Sequence, residues 1–72
     1  MQFFYKFDHL EGKLCLSGAV KRYGRYVRSH SIIMPYQDGE SEKSCIKTKL
    51  AAYSKAEQDL RKEFTGIEMC PE

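Results

Sequence analysis

The stretch that decides the architecture runs from Ser44 to Gly66 and reads SCIKTKLAAYSKAEQDLRKEFTG. It supports two readings. In the favoured one, Ile46, Thr48 and Leu50 alternate with Lys47 and Lys49 as a fourth strand, because successive strand side chains point to opposite faces. A helix then starts at Ser54, where Ser54-Lys55-Ala56-Glu57 matches the S-x-x-E capping box. Ala56, Leu60 and Phe64 follow at i, i+4 and i+8. Thr65-Gly66 closes the helix, with Gly66 in the left-handed position just past its end. In the second reading one helix runs from about Ser44 to Thr65, with Ile46, Leu50, Tyr53, Leu60 and Phe64 on one face. That geometry sets Glu57 inside the apolar stripe, where a charge is costly, so the strand-then-helix reading is preferred.

Upstream of this stretch the pattern is that of strands. Phe3, Tyr5 and Phe7 alternate with Phe4, Lys6 and Asp8, and Leu14, Leu16, Gly18 and Val20 alternate with Cys15, Ser17, Ala19 and Lys21. Gly12 lies in the turn between them, so the pair reads as a hairpin. Lys21-Arg22-Tyr23-Gly24 punctuates the chain again, and Arg25 to Pro35 is a third strand ended by its proline. Tyr36 to Lys43 is a polar loop built on Asp38-Gly39. Ile67 to Cys70 is a short last strand. The expected fold is therefore α+β: a small antiparallel, meander-like sheet of three to five strands with one C-terminal helix packed on one face.

One helix covers one face of a sheet. The more apolar alternation puts Phe3, Tyr5, Phe7, Leu14, Leu16, Val20, Val27, Ile33, Ile46 and Leu50 in the core, closed by Leu60 and Phe64. The open face then carries Phe4, Lys6 and Asp8, then Cys15, Ser17, Ala19 and Lys21, then Tyr26, Arg28, His30, Ile32 and Met34, and finally Lys47 and Lys49. It mixes cations with aromatics beside the basic turn Lys21-Arg22-Tyr23-Gly24-Arg25.

Composition bounds the function. Seventy-two residues, 42% hydrophobic and 31% charged, make one small domain spanning residues 1–72, too apolar for disorder and too charged for a membrane span. The opening Met-Gln-Phe-Phe-Tyr-Lys-Phe-Asp has neither the basic lead nor the apolar run of a signal peptide. A chain this short buries only about 60% of its unfolded surface, so a homo-oligomer or another partner is a reasonable source of buried area. Cys15, Cys45 and Cys70 are odd in number and show no C-x-x-C spacing, which points to reduced thiols in the cytoplasm. His9 and His30 are too few and too distant for a metal site, and a Cys–His nucleophile pair would need a tertiary contact. No phosphate-binding or nucleophile-elbow motif is present. The expectation is a chain with no catalytic residue, no metal and no cofactor.

The net charge of +2 is unevenly spread. Residues 1–30 hold six basic and two acidic groups, and residues 31–72 hold six basic and eight acidic. The reading that follows is a non-enzymatic protein-binding module, an inhibitor or modulator of a larger protein with an acidic surface. Its contacts are expected at Lys21, Arg22, Tyr23, Arg25, Tyr26, Arg28 and His30. Size and makeup are similar to those of phage and mobile-element accessory proteins that block host factors in the host cytoplasm. The alternative is a small nucleic-acid-binding protein that uses the same face to stack bases and contact phosphates. A membrane partner is not expected.

Overall fold

The computed structural model describes residues 1–36, 39 and 41–72, and Gln37, Asp38 and Glu40 of the expected polar loop lie outside the described residues. Strand β1 (Gln2–Leu10), β2 (Lys13–Arg22) and β3 (Arg25–Pro35) lead into helix α1 (Glu42–Glu63) and strand β4 (Glu68–Pro71). The sheet order is β3-β2-β1-β4. β1 pairs antiparallel with β2, and β2 with β3, whereas β4 lies parallel to β1. The sheet is thus an antiparallel meander over β1–β3 that becomes mixed through β4, and the expected α+β class with one helix on one face stands. The parallel pairing follows from the connection. β3 and β4 run in one direction at opposite edges, and only a long crossover such as a helix can link strands so placed.

The aromatic alternation of β1 holds. Phe3 pairs with Val20, Tyr5 with Gly18 and Phe7 with Leu16, all on the helix side. Gly12 turns the first hairpin with φ +74°. Phe3, Leu14, Leu16, Val20, Ile32, Tyr36, Ala52, Ala56, Leu60 and Ile67 are buried. Each large side chain among them is worth roughly 1.5–3 kcal/mol of burial.

The favoured reading of Ser44–Gly66 is overturned. Residues 46–50 are helical, the long helix forms, and Ser54 is an exposed interior position rather than a cap. Ser41 caps the helix instead, its Oγ accepting from the Ser44 amide at 3.2 Å. The objection raised by Glu57 dissolves because the helix is rotated. Its buried stripe is Ala52, Ala56 and Leu60, not Ile46, Leu50 and Tyr53. Glu57 therefore lies on the flank, 3.6 Å from Arg61. Ile46 and Leu50 are exposed, and Lys47 and Lys49 sit on α1 rather than on the open sheet face. The helix ends at Glu63, and Gly66 takes φ +72° a little farther on.

Strand β3 departs from strict alternation. Val20 pairs with Arg28 but Lys21 pairs with Tyr26, so Val27 is the extra residue of a β-bulge. Beyond the bulge the faces are exchanged. Ile32 is buried and Met34 packs on the core, whereas Val27 and Ile33, expected inside, are exposed. Arg28 and His30, expected on the open face, turn toward α1. The new register sets Ile32 against Leu16 and Met34 against Leu14. An unbulged hairpin would set Ser31 against Leu16.

Candidate functional site

The seven expected contact residues separate into two groups. Lys21, Arg22, Tyr23, Arg25 and Tyr26 gather at the β2–β3 turn. Arg28 and His30 leave them for the helix side. Arg28 forms an ion pair with Glu63, and His30 Nε2 lies 3.4 Å from Asp59 Oδ2 without an aligned hydrogen bond. The His30 ring also meets Phe3 edge-on, with centroids 6.5 Å apart. These two residues tie β3 to the C-terminal half of α1.

The turn is built at a local cost. Tyr23 and Gly24 both have positive φ, +51° and +77°, the pattern of a hairpin turn that favours Asn-Gly because most side chains disfavour the left-handed region. Here the first position holds a tyrosine that is 91% exposed. Arg22 and Arg25 stand directly opposite each other across the ladder, and like charges in that arrangement repel. The Arg22 guanidinium lies 5.3 Å from the Tyr23 ring centroid, and the Lys21 ammonium 5.6 Å from that of Tyr26. Such pairs are worth about 0.5–1 kcal/mol when exposed. An open cleft beside the turn is lined by Met1, Gln2, Lys21, Arg22, Tyr23, Gly24 and Glu68.

The rest of the open face is less basic than expected. Around Tyr26 it presents Phe4, Lys6, Ser17, Ala19, Ser29 and Glu72. On this face the basic residues cluster at the hairpin tip, with Lys6 set apart from them.

One contact had no local signal in the sequence. His9 Nε2 lies 3.8 Å from Cys45 Sγ in the first turn of α1, and the His9 ring meets Tyr36 edge-on at 5.4 Å. The thiol and imidazole are separated by thirty-six positions, so only the tertiary fold brings them together. Among the described residues, no group of three His, Cys, Asp or Glu side chains is placed to hold a metal ion. Among them too, no helix is long and apolar enough to cross a membrane. No protein-family model, curated protein or solved structure matches the chain.

Proposed function

We propose that the protein is a non-enzymatic binding module that engages an acidic surface of a larger protein through its β2–β3 hairpin tip. The observation that carries this reading is Tyr23, an exposed aromatic at positive φ between two opposed arginines. Folding alone disfavours the positive φ of Tyr23 and the opposition of Arg22 and Arg25, and violations of local rules concentrate where function requires them. Tyr and Arg are also the side chains that most often anchor protein interfaces. The partner is modulated or blocked by occupancy, since the tip offers contacts and no reacting group. Free Cys15, Cys45 and Cys70 support action in a reducing cytoplasm, as for an accessory protein that acts on a host factor.

The test compares capture from an extract of the native host by immobilised parent and variants, read by quantitative mass spectrometry. Tyr23→Asn is expected to stabilise the fold by about 0.5 kcal/mol through relief at the turn. The same change should weaken capture of the specific partner about thirty-fold, the equivalent of losing an anchor worth about 2 kcal/mol. Arg22→Ala and Arg25→Ala should act in the same direction on binding, whereas Arg28→Ala should leave it unchanged. Undiminished capture by Tyr23→Asn and Arg25→Ala overturns the reading. The exposed Tyr23 and Tyr26 rings beside Arg22 and Lys21 favour a second reading, stacking on single-stranded nucleic acid. Fluorescence titration with an oligonucleotide at two salt concentrations separates the two, because each phosphate contact makes binding weaken as salt rises.

A further inference from the structure

Helix α1 lies over β2 and β3, so on the helix side of β1 Phe3 is buried but Tyr5 and Phe7 are only partly covered. Tyr5 and Phe7 of β1 line an apolar groove with Ile46, Lys49, Leu50 and Tyr53 of α1. Tyr53 meets Tyr5 at 5.5 Å, and the Lys49 ammonium lies 5.5 Å from the Phe7 ring centroid. Ile46 and Leu50 remain 52% and 62% exposed. This groove shares no residue with the hairpin tip.

The helix surface beside the groove has a definite charge order. At 3.6 residues per turn, Lys43, Ile46, Lys47, Leu50, Tyr53 and Glu57 fall within about 120° of the circumference. The apolar members recur at the four-three spacing of a helix–helix seam. The stripe is basic before Leu50, at Lys43 and Lys47, and beyond Leu50 it carries Glu57, which lies 3.6 Å from Arg61 on the same face. An antiparallel copy of the same stripe, centred on Leu50, sets Leu50 against Leu50, Lys47 against Tyr53 and Lys43 against Glu57. Lys43 of each copy then meets the Glu57 of the other. A parallel copy would set Lys43 against Lys43 and Glu57 against Glu57.

We propose that this stripe and the Tyr5–Phe7 groove form a two-fold interface with a second copy of the chain, the two α1 helices packing antiparallel about Leu50. Such an isologous contact uses each residue pair twice. It also supplies buried apolar area that a domain of this size lacks when alone.

Sedimentation equilibrium over a wide concentration range tests the proposal with the intact protein. The apparent mass is expected to rise from 8.4 kDa toward twice that value as concentration increases. Leu50→Glu and Ile46→Lys, both at exposed positions, should hold the mass at the monomer value, with circular dichroism confirming an intact fold. Lys43→Glu and Glu57→Lys should each weaken dimerisation about ten-fold, since one like-charged contact appears twice. The double swap Lys43→Glu/Glu57→Lys should recover most of the loss. A parent that stays monomeric throughout overturns the proposal, even if Leu50→Glu abolishes capture of some other protein. That last result would assign the groove to a foreign helix. A dimer indifferent to Leu50→Glu, or single swaps with no rescue in the double, overturns it as well.

Discussion

Gly18 shows how one missing side chain permits the core. It stands opposite Tyr5 and His30 in the middle of the helix-side face. A Cβ there would lie 2.2 Å from the Phe4 carbonyl oxygen and 2.8 Å from the Phe3 ring. Gly→Ala in a strand usually gains a little stability. Here Gly18→Ala should cost about 1–3 kcal/mol, the range for overpacking, as a denaturant melt would show. Tyr53 supports a second expectation. Its phenol is pushed above its ordinary value of 10.0, first by partial burial and then by the neighbouring Glu57 carboxylate. A raised value means that the fold prefers the neutral ring. That contribution is complete below the unfolded value and fades as pH climbs through the folded one. Tyr53→Phe should therefore lose less stability than the parent above about pH 10, measured by urea melts across the alkaline range. Arg28 belongs to the same scale. Its ion pair with Glu63 is solvent-exposed, so Arg28→Ala should cost no more than about 1 kcal/mol.

Two elements carry the lesson about what could be read in advance. The β1–β2 hairpin was legible because its cues are local: alternating aromatics and a glycine at the turn. The tip Lys21–Tyr26 was legible for the same reason. α1 is hard to read from the sequence because Ile46, Thr48 and Leu50 do alternate with lysines, while the stripe that seats the helix consists largely of alanines. Ala52 and Ala56 give a weak hydropathy signal, yet their small size lets a helix backbone approach a sheet closely. Simple alternation gives β3 the wrong faces because its bulge is set by competition between registers. The bulged one seats Ile32 and Met34 and brings Arg28 and His30 to acidic partners on a helix far along the chain. The cap Ser41 and the interior Ser54 give opposite signs. Ser41→Ala removes the side chain that accepts from Ser44 and should cost about 1 kcal/mol. Ser54→Ala exchanges a middling helix former for the best one and should stabilise by about 0.3 kcal/mol. A pair of thermal melts against the parent checks both. If Ser54→Ala proves destabilising, the continuous helix is wrong.

At the scale of the whole molecule, the described residues form an elongated body of 41 × 17 × 15 Å. The hairpin tip and the Leu50 groove are separate surfaces on it, so a partner at one leaves the other open. The sheet is completed by the pairing of Gln2 with Glu68 and of Phe3 with Met69, supported by amides of Glu68 and Glu72 donating to the carbonyls of Met1 and Tyr5. This contact has a kinetic consequence. It joins segments separated by nearly all 72 residues, so closing it is entropically the slowest kind of contact to make. The two antiparallel hairpins can zip locally, and α1 can wind on its own cap, before β4 finds its place. Refolding followed by pulsed hydrogen exchange should protect the β1–β2 amides first and those of Glu68 and Glu72 last. In the native protein, opening of β4 should be the lowest-energy fluctuation of the sheet. That excursion periodically bares the outer backbone of β1, where another strand can dock.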